Sequence, residues 1–129
     1  MKLLLDTHAF LWLDGDPARL PPKVRTACTD PTNELYLSLA SIWEIQIKSQ
    51  LGRLTLRGEL LSILNDQQQT NDLRLLPIEL ADILGLAALP MHHRDPFDRL
   101  IVSQAQRGAW ELVTHDPEIA KYPVTILWD

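Results

Sequence analysis

The stretch Lys2-Leu3-Leu4-Leu5-Asp6-Thr7-His8-Ala9-Phe10-Leu11-Trp12-Leu13 sets two structural periods side by side. Lys2 to Leu5 is a short apolar run stopped by an acid, which reads as a buried strand. The residues from Thr7 onward carry apolar side chains at helical spacing until Asp14-Gly15-Asp16-Pro17 breaks the pattern. The same sequence of events repeats at Leu35-Tyr36-Leu37-Ser38, a strand that runs into a helix over residues 39–48 and ends near Gly52. In that helix Trp43, Ile47 and Leu51 recur every fourth residue, which predicts one buried face.

Outward from these two units the alternation continues. A helix with proline in its first turn is expected over residues 21–28, closed by Asp30-Pro31. Another is expected over 59–68, with Leu60, Leu61, Ile63 and Leu64 on its core side. Residues 73–78 read as a third strand interrupted by Pro77, and 79–89 as a helix closed by Pro90. The polar segment Met91-His92-His93-Arg94-Asp95-Pro96 leads into a helix over 97–107, for which Gly108 is the expected C-cap, and then a strand over 110–113. His115-Asp116-Pro117 starts a last helical turn, and 124–127 form a final short strand. Strands alternating with helices predict an α/β fold: a parallel sheet covered by helices on both faces, joined by right-handed crossovers.

The 129 residues imply one domain over residues 1–129, without repeat, low-complexity tract or linker. Apolar residues at 46% and charged residues at 22% are those of an ordinary soluble globular chain, which excludes disorder and fibrous classes. Cys28 is the single cysteine, so no internal disulfide or cysteine zinc site is available and a reducing cytoplasm is expected. No apolar run approaches the roughly 20 residues of a membrane-spanning helix, and Asp6 cuts the opening apolar run short of a signal-peptide core. A net charge of −5 excludes a polybasic nucleic-acid binder.

Ligands of open parallel sheets sit beyond the carboxyl ends of the strands, which directs attention to the acids there. Asp6 ends the first strand, the second leads to Glu44, and the fourth leads through Thr114 to Asp116; Asp95 and Asp98 stand at the mouth of the helix before it. Each has a purely structural alternative. Asp6, Asp95 and Asp116 could be helix caps, and Asp98 could favour a helix dipole. Ser41-Ile42-Trp43-Glu44 matches a capping box, and Glu44 with Lys48 is a helical ion pair. Two features favour chemistry. Glu44 lies among Ile42, Trp43, Ile45 and Ile47, where a carboxylate needs a partner. The first, second and fourth strands can also be neighbours, so carboxylates distant in sequence would face one cleft and repel unless a cation sat among them. Oxygen donors without cysteine or a histidine pattern favour Mg²⁺ or Mn²⁺ over Zn²⁺. Carboxylate-held divalent ions hydrolyse phosphodiesters without a protein nucleophile. That agrees with the lack of a Gly-x-Ser-x-Gly elbow, a Cys-His pair or a phosphate-cradling glycine loop.

Leu3-Leu4-Leu5-Asp6-Thr7-His8, Ser41-Ile42-Trp43-Glu44-Ile45, His93-Arg94-Asp95-Pro96-Phe97-Asp98-Arg99-Leu100-Ile101 and Leu112-Val113-Thr114-His115-Asp116 resemble, in order and spacing, the PIN domains. More narrowly they resemble the VapC-like ribonuclease toxins of toxin–antitoxin modules, over nearly the whole chain. The Asp-Pro-Phe-Asp-Arg block is the most specific part. The resemblance places the family's acidic quartet on Asp6, Glu44, Asp98 and Asp116, an auxiliary acid on Asp95, and the Thr or Ser beside the last Asp on Thr114. It implies a three-layer α/β/α sandwich with a central, mainly parallel sheet, Mg²⁺- or Mn²⁺-dependent cleavage of RNA, a homodimer, and inhibition by a cognate antitoxin protein. Without the quartet the 17 acidic residues nearly balance the 12 basic ones, so the acidity is concentrated in the site and does not exclude an RNA substrate.

Other residues have plainer expectations. His92 and His93 are adjacent, poor geometry for one metal; Arg94 and Arg99 are expected to pair with Asp95 and Asp98 rather than contact RNA phosphates; Trp12, Trp43 and Trp110 are expected in the core rather than as base-stacking platforms, and Trp128 in either setting. His8 and His115 could touch substrate or simply be solvated. The competing functional readings are a catalytically silent PIN-like module that binds protein or RNA, and a phosphotransfer domain. The dehalogenase form of the latter wants an acid at the position of His8, and the receiver form wants an acidic pair and a late lysine that are not evident.

Overall fold

In the computed structural model, which describes residues 1–91 and 95–129, five strands form one all-parallel sheet. They are β1 (Lys2–Leu5), β2 (Glu34–Ser38), β3 (Arg74–Leu76), β4 (Glu111–Val113) and β5 (Ile126–Leu127), in the order β3-β2-β1-β4-β5. The helices among the described residues are α1 (Thr7–Gly15), α2 (Pro22–Thr29), α3 (Leu39–Gln50), α4 (Leu60–Asn71), α5 (Leu80–Leu84) and α6 (Pro96–Gly108). The predicted α/β class and the sandwich of helices about a parallel sheet are what the chain adopts.

The alternation of strand side chains divides the core. Leu3, Leu5, Leu35, Leu37 and Val113 lie in one cluster with Phe10, Leu13, Val24, Cys28, Ile63 and Leu64, so that α1, α2 and α4 cover this face. Leu4 and Leu112 point the other way and pack with Ile101, Val102, Ala105, Ile119 and Tyr122 under α6. The three leucines of β1 are completely buried, which is the signature of a central parallel strand. Leu5 pairs in register with Leu37 on one side and Val113 on the other, so Asp6, Ser38 and Thr114 emerge level at one edge of the sheet. From β1 the chain winds outward through β2 and β3, then returns to build β4 and β5 on the opposite side. The order therefore reverses between β1 and β4, which is the position where open α/β sheets form their binding crevice.

Several local expectations are corrected. The Trp43, Ile47 and Leu51 stripe of α3 does not form its buried face: Trp43 is 59% exposed and Leu51 60% exposed, while Ala40, Ser41, Glu44 and Ile45 face inward. Fourfold spacing marks a stripe without saying which stripe meets the sheet. The short side chains of Ala40 and Ser41 allow the close approach that a helix leaving β2 without a loop requires. The capping box is also absent. Ser38 caps α3 by accepting from the amide of Ala40 at 3.0 Å, and Ser41 lies a turn inside the helix. Leu61 of α4 is exposed, with Leu60, Ile63, Leu64 and Gln67 turned to the protein. Trp43 also departs from its expected place in the core, meeting the Phe97 ring edge-on at 5.2 Å. The helix expected over 79–89 is α5 followed by a 3₁₀ turn, Gly85–Ala88, and the last helical turn is confined to Ile119–Lys121. The expectations for His92, His93 and Arg94 lie outside the described residues. Arg99 directs its hydrogen bonds to the carbonyls of Leu86 (3.1 Å) and Pro90 (2.9 Å) and to the Tyr122 hydroxyl (3.3 Å), tying α6 to its neighbours instead of to the adjacent acids.

The end of α6 is the other correction. Gly108 is the last helical residue, and the left-handed position falls on Ala109, at φ 55°. Glycine is needed at 108 for space: a Cβ there would stand 1.5 Å from the Trp110 ring. Lys2 completes this corner, its Nζ 4.1 Å from the centre of that ring and donating to the Gly108 carbonyl at 3.1 Å.

Two measurements check this packing. Gly108→Ala should cost about 1–3 kcal/mol through displacement of Trp110, whereas Ala109→Gly should raise the melting temperature by relieving about 1–2 kcal/mol of left-handed strain, less glycine's added chain entropy. Burial pushes the Cys28 thiol up to about 12, so Ellman's reagent at pH 8 should react with it in urea and not in the native protein.

Candidate active site

Asp6 leaves the end of β1 with its amide donating to the Val113 carbonyl at 3.0 Å, which continues the β1–β4 ladder by one step. Its carboxylate is 5% exposed and occupied on both oxygens. Oδ1 accepts from the amide of Ala9 at 2.7 Å and so caps α1; Oδ2 accepts from the Thr114 hydroxyl at 2.5 Å. The Thr114 oxygen in turn accepts from the amide of Asp116 at 3.1 Å, and Asp116 Oδ1 accepts from the amide of Glu118 at 2.8 Å. Asp6 and Asp116 are thus joined through one hydroxyl across the reversal point of the sheet. Capping and a site role are compatible for Asp6, since a carboxylate has more acceptor positions than these bonds use.

Burial raises the Asp6 carboxyl above its usual range, and the negative charge of Asp116 adds to the effect; the Thr114 and Ala9 hydrogen bonds and the charge of His8 oppose it. A carboxylate whose ionisation is resisted in this way is one that a cation would stabilise.

Glu44 is 3% exposed, turned inward from α3 toward α1. Thr7 donates its hydroxyl to Glu44 Oε1 at 2.6 Å, and Lys48 pairs with Oε2 at 2.6 Å. The expected Glu44–Lys48 pair therefore forms, and a second partner supplies what one lysine could not. The Lys48 ammonium is held charged beyond its usual range, first by the Glu44 hydrogen bond and further by the charges of Glu44, Asp95 and Asp98. Asp95 caps α6, Oδ1 accepting from the amides of Phe97 (2.9 Å) and Asp98 (3.3 Å), and this fixes Asp98 in the first turn of that helix.

The acids singled out from sequence fall into two groups. Asp6 and Asp116 are linked through Thr114, while Glu44 pairs with Lys48, on which Asp95 and Asp98 also act through their charge. Thr7, adjacent to Asp6 in the chain and bonded to Glu44, links the groups. Among the described residues no three His, Cys, Asp or Glu side chains converge closely enough to hold one ion. In donor chemistry the set is all oxygen, which suits a hard divalent cation, and Asp6 carries a buried charge that such a cation would offset. Sequence reasoning passed over Thr7, whose only signal was its position after Asp6. It also passed over the buried Asp82, paired with Arg107 at 2.5 Å at the far end of α6.

The raised Asp6 carboxyl sets a sign. A carboxyl that ionises late in the folded state contributes stability below its unfolded value near 3.8, and that contribution is lost as pH rises through the folded value. For the metal-free protein, Asp6→Asn should therefore melt a few degrees above wild type at pH 8, and the advantage should shrink toward pH 4. An advantage independent of pH in paired melting curves would place its origin outside the carboxyl.

Comparison with known proteins bears on this arrangement. A search of curated proteins returns no match. The structure resembles the crystal structure of VapBC2 from Rickettsia felis bound to a promoter DNA fragment, at a TM-score of 0.73 and 18% identity, covering 100% of each chain. It also resembles DNA-bound VapBC from Salmonella typhimurium (TM-score 0.67, 14% identity, 98% and 96% covered) and FitAcB from Neisseria gonorrhoeae (0.61, 18%, 97% and 96%). At these identities the likeness is one of fold. The sequence itself matches the PIN domain profile over residues 3–124, a span that begins in β1 before Asp6 and ends beyond Asp116, and on that match the chain belongs to the PIN domain family.

Proposed function

We propose that this PIN domain is a metal-dependent endoribonuclease of the VapC-like type, acting in the cytoplasm as the toxin of a toxin–antitoxin module. The observation that carries the reading is the pair Asp6 and Asp116, bridged by Thr114 at the reversal point of a parallel sheet. Asp6, Glu44, Asp98 and Asp116 would hold Mg²⁺ or Mn²⁺. When bound, such an ion polarises a phosphoryl oxygen and lowers the pKa of water for attack on phosphorus.

The chain's own residues prepare the site. Thr114 fixes the rotamer of Asp6 and registers it against Asp116. Thr7 orients Glu44, and Lys48 pairs with it within reach of the charges of Asp95 and Asp98. Asp95 sets the first turn of α6 and with it Asp98. No side chain need form a covalent intermediate.

A cognate antitoxin as partner is supported by the fold neighbours, which are VapBC and FitAB complexes. A homodimer is supported by the apolar side chains that α3 leaves in solvent, Leu39, Trp43 and Leu51. Among the described residues no helix is long and apolar enough to cross a membrane. The silent binding module is favoured by one observation, the failure of three acids to converge, and the same experiment separates the two readings.

In a cleavage assay on single-stranded RNA with Mg²⁺ or Mn²⁺, wild type should cut while Asp6→Asn and Asp116→Asn do not. Thr114→Val, which removes the bridge and keeps the acids, should lower the rate by about 10–100-fold, as loss of a ligand-orienting hydrogen bond does. Divalent ion should also raise the melting temperature of wild type and not of Asp6→Asn. Absence of both cleavage and stabilisation would establish the silent module.

A further inference from the structure

The cleft that Asp6 and Asp116 border, about 270 Å³ in volume, is also lined by the aromatic rings of His8, Trp12, His115 and Trp128. Trp12 of α1 and Trp128, just beyond β5, make a tilted contact, with centroids 6.0 Å apart and planes inclined at 54°. His115 lies 5.2 Å from Trp128 at 37°, and His8 lies 6.3 Å from Trp12 at 58°. These rings come from three separate parts of the chain. Both tryptophans rest on the core from one side only, and both histidines are exposed. No pair is stacked in parallel, and all four rings line the cleft. The Arg19 guanidinium lies 4.6 Å from the centre of the Trp12 ring.

We propose that this cleft is a base-binding subsite: it receives one unpaired base of the RNA, stacked on Trp12 and Trp128, and so places a neighbouring phosphate at Asp6 and Asp116. The inference rests on the ribonuclease reading and deepens it, since it assigns residues to substrate selection. Three features favour a base over an apolar peptide side chain. Half of the lining side chains are planar aromatic rings, with Ala9 and Pro117 as smaller apolar neighbours, and any base offers a π face to such rings. The histidine edges can hydrogen-bond a base. Arg19, over the Trp12 ring, sets a positive charge beside the cleft on a chain of net charge −5. A base paired in a duplex cannot enter, so the subsite selects single strands.

The test uses the full chain and two readouts. The first is fluorescence anisotropy of a labelled single-stranded oligoribonucleotide in EDTA, where cleavage cannot contribute; the second is steady-state cleavage with Mg²⁺. Trp128→Ala should weaken EDTA binding about tenfold or more and raise KM by a similar factor with kcat little changed, while Trp128→Phe restores most of both. A duplex of equal length should bind weakly to all three proteins. Melting curves confirm that Trp128→Ala is folded; Trp128→His provides a second variant if it is not.

Cleavage by wild type with unaltered binding and KM in the folded variants would overturn the subsite and leave the ribonuclease standing. Ring-dependent binding of single strands without cleavage would uphold the subsite and overturn the ribonuclease. If RNA binding is unaltered and inhibition by a co-expressed antitoxin is lost instead, the cleft is a peptide pocket and the proposal is wrong.

Discussion

One hydroxyl sits at the centre of this molecule. Thr114 donates to Asp6 and accepts from the amide of Asp116, joining the exits of β1 and β4 at the point where the sheet reverses its winding. The backbone ladder alone would bring those two strand ends level; the hydroxyl adds a donor to the Asp6 carboxylate and an acceptor for the Asp116 amide, which fixes the two residues relative to each other. The bond holds Asp6 inside the protein at a cost in ionisation, and the amide of Ala9 shares the burden. Every other feature of the site is arranged around that position: α1 starts from it, Thr7 follows it, and the aromatic cleft opens beside it.

The second half of the site obeys a different constraint. Glu44 enters from a helix that follows β2 directly, and its burial requires two partners, Thr7 from α1 and Lys48 from its own helix. An ion pair half open to solvent stabilises a fold little, so Lys48 is better understood as a charge that lets three acids coexist near α6. The separation of the acids into two groups follows. One group contains the Lys48 ammonium, and in the other hydrogen bonds and the charge of His8 act on Asp6.

Much of this was legible in the residues. The leucine run of β1, the acid that stops it and the repetition of strand and helix gave the fold class, because period and length are local properties. The acids at strand ends were legible as well, together with their double reading as caps, and the structure shows that Asp6 and Asp95 do cap helices. Three readings failed for one reason. The buried face of α3, the capping box at Ser41 and the C-cap at Gly108 each depended on what lay across from the element. Ala40 and Ser41 face inward because a helix must pass close to the sheet. Gly108 is required by a tryptophan two residues on, and the left-handed turn shifts to Ala109.

The sequence by itself determined that the chain is a parallel α/β domain with acids at the carboxyl ends of its strands, since hydrophobic period and strand-stopping residues are written in neighbouring positions. The tertiary structure alone decided that Asp6 and Asp116, 110 positions apart, share a hydroxyl, that Thr7 reaches Glu44, and that Trp12, His115 and Trp128 line one cleft. Those relations depend on strand order and on the angle at which each helix leaves the sheet. Both are set by long-range packing of side chains that carry no mark of their partner in the local sequence.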